Sequence, residues 1–177
     1  MIKKFITIIL ISLTCNTPLF SAENSSNSSS GVKSDGRDDT GFYSTKKDSN
    51  FKIGLGAIKK AKKYEKKEKK EKSEKQFNKA VKYLTLANKE NPGQPDILNY
   101  LGFSLRKIND FSMAEIYYLQ GLEIDPNHIG INEYLGELYV QTNRLNKAKE
   151  RLKILENCNC KEFEELNDAI KRGISKY

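Results

Sequence analysis

Displacing the chain by 34 residues lays one part of it over another. Tyr100-Leu101-Gly102 falls on Tyr134-Leu135-Gly136, Asn109 on Asn143, Phe111 on Leu145 and Ala114 on Ala148. Displaced the other way, Phe111 meets Phe77, Ala114 meets Ala80, Tyr117 meets Tyr83 and Pro126 meets Pro92. A fixed period carried by small and apolar positions marks stacked units, each leaving an apolar face for its neighbour to cover. That constraint precedes any other reading of the chain.

Each unit reads as two helices. Leu98, Leu101, Leu105 and Ile108 follow helical spacing on a first arm, and Tyr117, Tyr118, Leu122 and Ile124 fill a second. Asn109-Asp110 turns the chain between the arms, and Pro126 stops the second. No alternating apolar and polar run is long enough for a sheet, so the fold is expected to be all-α. A glycine inside a helix costs roughly 0.5–1 kcal/mol against alanine. Gly102 and Ala114, on opposite arms of one hairpin, are therefore expected to let the two helices approach closely.

The 34-residue period, with Leu-Gly, then Ala, then an aromatic, then Pro, resembles the tetratricopeptide repeat family. FSLRK, followed by a last repeat that ends in a cysteine pair and an acidic helix, is also similar to exported repeat proteins of alphaproteobacteria with unassigned function. The resemblance implies a helix-turn-helix solenoid of about three repeats. The implied division is a first repeat over 51–94, a second over 95–128 and a third over 129–160. A capping helix follows over 161–177, with Phe163, Leu166, Ile170 and Ile174 as its apolar stripe.

Repeat one departs from the period. FKIGLGAI supplies Leu55-Gly56 as its own Leu-Gly pair, which predicts a twelve-residue insertion before Phe77. The insertion is expected to lengthen the first helix into a charged arm, with Phe51, Leu55 and Ile58 at its base. Residues 59–75 hold ten lysines and four glutamates, a local +6. Taking away this segment, and Lys3 and Lys4, leaves none of the chain's net charge of +8. Lys62, Lys63, Lys66, Lys67, Lys69 and Lys70 form the basic arm. A solvated helix extension is its plain reading; docking to an anionic protein or lipid surface is the other. Nucleic acid is not expected, because export removes it and only Tyr64 offers a stacking ring.

The first 22 residues read as an export signal. Lys3-Lys4 precede an apolar run over Phe5–Leu13 that is too short to cross a bilayer, which needs about 20 residues. Location in the periplasm of a Gram-negative bacterium is expected. An uncleaved anchor, or a lipid carried on Cys15, fits the flanking residues less well. Residues 23–50 are rich in Ser, Asn, Gly and Asp and read as a flexible tether.

No nucleophile elbow, metal-binding histidine pair or phosphate loop is present, and the one histidine, His128, sits in an inter-repeat turn. No enzyme, no cofactor and no metal site are expected. The resemblance implies that the first helices line a concave groove with Asn99, Phe103, Arg106, Glu133, Glu137 and Gln141, Phe103 being an exposed anchor. The spacing of Asn99, Phe103 and Arg106 separately puts those three on one helix face. The function expected is a binding scaffold that holds a peptide or helix of another envelope protein. The alternative is a thiol-redox or metal-handling factor built on Cys158 and Cys160, a pair that also reads as a structural disulfide.

Overall fold

The computed structural model describes residues 46–175. Within them lie seven helices and no strand: α1 (Lys46–Glu65), α2 (Lys70–Glu90), α3 (Pro95–Lys107), α4 (Phe111–Ile124), α5 (Ile129–Gln141), α6 (Leu145–Ile154) and α7 (Lys161–Arg172). The signal and most of the expected tether fall outside the described residues. α1 begins at Lys46, ahead of the expected boundary at Asn50, and Asn50 donates to Glu90 at 2.8 Å.

The helices pair as antiparallel hairpins α1–α2, α3–α4 and α5–α6, and α7 packs on α5 and α6. The first helices α1, α3 and α5 touch in succession, with α7 continuing the row, whereas α2, α4 and α6 do not touch one another. The array therefore curves toward the row of first helices, which forms its concave side.

Local chemistry sets the turns. Asn109 and Asn143 occupy equivalent positions with φ of 65° and 59°, a left-handed region that asparagine tolerates better than most residues. Asp110 caps α4 by accepting from the Met113 amide at 3.2 Å. His128 does the same for α5: its Nδ1 accepts from the Ile131 amide at 3.2 Å, and its Nε2 lies 3.3 Å from Asp96. Nδ1 must then be unprotonated, so Nε2 carries the proton and donates to Asp96. The lone histidine stitches one repeat to the next.

The glycines mark where helices meet. A Cβ placed on Gly102 would lie 2.5 Å from the ring of Tyr118, and one on Gly54 would lie 2.7 Å from Leu84. These contacts are equivalent by the 34-residue period. Gly54, and not Gly56, is thus the counterpart of Gly102, since Gly56 has nothing within 4 Å of a Cβ. Gly102 meets Tyr118 of the opposite arm, on which Ala114 is fully buried.

This register corrects the insertion as well. Gly54 to Phe77 spans 23 residues against nine from Gly102 to Phe111, so fourteen are inserted where twelve were expected. They lengthen both helices: α1 and α2 have 20 and 21 residues against 13 and 14 in α3 and α4. Fourteen residues are close to four helical turns, so the hairpin grows by about two turns, roughly 10 Å, without losing its packing phase. Ser73, Phe77, Ala80, Leu84 and Ala87 alternate steps of four and three along α2 and are all buried. Ala61 and Ser73 let the extended part close, and Ser73 Oγ donates to the Ala61 carbonyl at 3.1 Å. The arm is a packed hairpin, not one protruding helix.

Two other expected core positions are exposed. Ile124 is half-exposed at the end of α4, and Ile174 lies beyond α7 with 68% of its surface exposed. α7 stops because Gly173 adopts φ 65°, which turns the chain before Ile174 can join the apolar stripe.

The glycine register predicts opposite effects from one substitution. Gly102→Ala is expected to destabilise the protein by about 1–3 kcal/mol, because the Tyr118 ring must shift. Gly56→Ala, with open space around it, is expected to stabilise by about 0.5–1 kcal/mol. Urea denaturation of the two variants and the parent measures both.

Candidate interaction surface

The middle of the concave side is filled by the protein's own side chains. Phe103 is 1% exposed. Its ring packs against Tyr134 at 4.9 Å and Phe77 at 5.9 Å between centroids, with Lys62 Nζ 4.5 Å over its face. The aromatic anchor expected to be open to a partner is instead the hub between α1, α3 and α5. It is buried because Phe77 and Tyr134 supply apolar surface that the repeat period alone does not reveal.

Next to it lies a buried ion pair. Arg106 Nη1 donates to Glu137 Oε2 at 3.1 Å, and both side chains have no exposed surface. The same nitrogen reaches Gln141 Oε1 at 3.2 Å and Ser175 Oγ at 3.3 Å, while Ser175 donates to Glu137 Oε2 at 3.0 Å. The guanidinium also lies 5.7 Å over Tyr134 and 5.9 Å over Phe103. A charge pair withdrawn from water is tolerated only where such further contacts accompany it. Burial pushes the neighbouring Tyr118 phenol above its ordinary range, the charge of Arg106 opposing it in part.

Asn99 and Glu133 are buried too. The Asn99 amide nitrogen would lie 2.8 Å from a Cβ on Gly130, so Asn99 seats the start of α5 on α3. Glu133 faces α7. Burial first, then the charge of Glu137 and a hydrogen bond with Glu165, push its carboxyl up to about 8. Of the six residues expected in a groove, only Gln141 is exposed. The other five join repeat two to repeat three and to the cap.

Open space lies one step along the row, between α1 and α3. A cleft of about 500 Å³ is lined by Leu55, Ile58, Lys59, Lys62, Lys63, Lys66 and Tyr100. Lys59, Lys62 and Lys63 recur at i, i+3 and i+4, so the extended α1 turns one cationic face inward, and Lys66 in the turn just after it continues that face. That spacing was available in the sequence and would have separated these lysines from the rest of the run; Lys59 and Tyr100 were missed. Lys67, Lys69 and Lys70 lie instead at the exposed tip, where Glu68 turns with φ 56°. Glu65 takes no part in the cleft: it pairs with Lys107 at 2.6 Å and ties the extended hairpin to repeat two.

The cysteines lie elsewhere, in the turn from α6 to α7, and are joined as a Cys158–Cys160 disulfide. Among the described residues no three ligating side chains gather to hold a metal ion, and no helix is long and apolar enough to cross a membrane.

Comparison with known proteins bears on the fold. The sequence profile of the tetratricopeptide repeat matches residues 95–128. The fold is a tetratricopeptide repeat solenoid. Among solved structures, the TPR domain of Arabidopsis OM64 is 19% identical over 71% of this chain and 100% of its own length, with a TM-score of 0.52. The TPR2B domain of yeast Sti1, in complex with pHsp70, is 19% identical over 69% of this chain and 96% of its own, with a TM-score of 0.53. The first TPR domain of human RPAP3 is 18% identical over 71% and 98%, with a TM-score of 0.50. No curated protein sequence matches the chain.

Two substitutions test the buried polar centre. Arg106→Ala strands Glu137 and is expected to destabilise by about 3–5 kcal/mol in chemical denaturation. Glu133 has the opposite sign. Its folded-state carboxyl titrates above the unfolded one, near 4.5, so stability falls as pH rises from about 4.5 through about 8. Glu133→Gln should match the parent near pH 4 and exceed it by about 1–2 kcal/mol at pH 8. Melting both proteins across that range checks it.

Proposed function

We propose that this tetratricopeptide protein is a non-enzymatic scaffold of the cell envelope that holds a segment of another protein, peptide or helix, in the α1–α3 cleft. The observation that carries the reading is the cleft itself. An apolar floor of Leu55, Ile58 and Tyr100 lies beside Lys59, Lys62 and Lys63 on one face of α1 and Lys66 just beyond it. The chemistry suits a partner segment with acidic side chains around an apolar one. Lysine heads supply attraction and steering, and burial of the apolar side chain supplies affinity. A rigid solenoid presents the cleft preformed, so little ordering entropy opposes binding. The Sti1 domain, solved with pHsp70, is a precedent for this fold holding a partner. The reading for the envelope rests on the basic, apolar N-terminal residues and on the disulfide, a bond that persists in oxidising compartments.

Panning a random peptide library on the full-length protein tests the proposal. Enriched peptides are expected to pair acidic residues with an apolar one. A Lys59→Glu, Lys63→Glu variant should bind them at least about tenfold more weakly, the scale of two lost charge contacts. A control with Lys147→Glu and Lys149→Glu, on α6, should bind as the parent does. Peptides indifferent to the cleft variant, or equally weakened by the control, would overturn the assignment.

A further inference from the structure

Cys158 and Cys160 are a built chemical feature that the cleft does not use. Their Cα atoms are 5.1 Å apart, and both residues are half-buried in the turn that leads into α7. We propose that the Cys158–Cys160 bridge is a thiol–disulfide exchange site that accepts two electrons from a dithiol of another protein.

Three observations carry this. The bridge encloses a single residue, Asn159, so it removes little entropy from the unfolded chain and adds little stability. The helix it precedes is held by other means. Gly136 leaves room for Leu166 so close that a Cβ would lie 2.5 Å away, Ala169 is fully buried, and Ser175 is bonded to Arg106 and Glu137. A cleft of about 450 Å³ lies on the Cys160 side of the bridge, lined by Glu156, Asn159, Cys160, Lys161, Phe163 and Glu164, and leaves open space beside the sulfur that departs.

The two sulfurs are not equivalent. Cys160 is the capping residue of α7, and its side chain accepts no capping hydrogen bond in the disulfide form. It stands at the N-terminus of this 12-residue helix, a position whose unpaired first-turn amides favour a thiolate once the bridge opens. Lys161 adds positive charge, although its head pairs with Glu165 at 2.6 Å. Glu156, Glu162 and Glu164 oppose, from the turn after α6 and the first turn of α7. Glu156 and Glu164 are exposed, where water and salt screen them, which leaves half-buried Glu162 as the main opposition to the helix N-terminus.

The chemistry follows from that asymmetry. The partner's thiolate attacks Cys158 Sγ, the Cys158–Cys160 bond breaks, and its electron pair leaves on Cys160 Sγ, the better leaving group. A mixed disulfide now joins the partner to Cys158. The partner's second thiol loses its proton and attacks its own first sulfur, expelling Cys158. The partner leaves with a disulfide, and Cys158 and Cys160 together hold the two electrons and two protons it gave up.

The test uses the oxidised full-length protein with dithiothreitol as the dithiol and oxidised glutathione as the reference disulfide. Reduction at pH 7 is expected to run at least about tenfold faster than that of oxidised glutathione. Circular dichroism and the melting temperature should be unchanged by reduction. In a Cys158→Ser variant, the pH profile of Cys160 alkylation by iodoacetamide should have its midpoint below the ordinary thiol value of about 8.5. In a Cys160→Ser variant the midpoint for Cys158 should lie higher. Reduction no faster than the reference, a melting temperature that falls with reduction, or midpoints in the reverse order would each overturn the proposal. None of these readouts depends on the α1–α3 cleft, so failure here leaves the scaffold reading standing, and the converse holds as well.

Discussion

The close approach of paired helices governs this molecule. Leu84 and Tyr118 press so near to Gly54 and Gly102 that any side chain there would collide with them. The two contacts fix how each hairpin closes and hence which faces remain for the next hairpin. In repeat three the same glycine position, Gly136, receives Leu166 of α7, so the device that builds a repeat also seats the cap. The apolar clusters run on from these contacts, with Val81, Ile108, Tyr117 and Tyr134 lying against both.

Charge is arranged around that frame with a division of labour. The centre of the concave side has Arg106 and Glu137 withdrawn from water and locked to each other, to Gln141 and to Ser175. A pair so enclosed contributes less to net stability than its Coulomb attraction suggests, because desolvation opposes it. What it gives here is geometry, since each partner comes from a different repeat. The more open charge is the lysine face of α1, set beside apolar floor residues, with Lys59 and Lys63 exposed and Lys62 turned over the Phe103 ring. Lengthening both helices by about two turns is what creates that face.

Much of the fold was legible in the sequence, for definite reasons. The all-α solenoid followed from a period repeated at small and apolar positions, and Asn109 and Asn143 are turn residues at the equivalent places. The insertion was legible in kind but not in size, because two Leu-Gly-like choices lay two residues apart and only packing decides between Gly54 and Gly56. The concave residues were the hardest to read. Helical spacing puts Asn99, Phe103 and Arg106 on one face, but whether a face meets solvent depends on what crosses it. Phe77, Tyr134, Lys62 and Ser175 come from distant parts of the chain and cover it. The cysteine pair was visible as a pair; its position as the cap of α7 was not, because that depends on where the helix starts.

The central claim is that recognition occurs on the lysine face of α1 and not in the middle of the concave side. An NMR titration of isotope-labelled protein with an acidic peptide enriched on it addresses that claim directly. Shift changes should cluster at Leu55, Ile58, Lys59, Lys63 and Tyr100, leaving Glu133 and Glu137 nearly still. Changes centred on Glu133 and Glu137, with Arg106 released from its partner, would contradict the account.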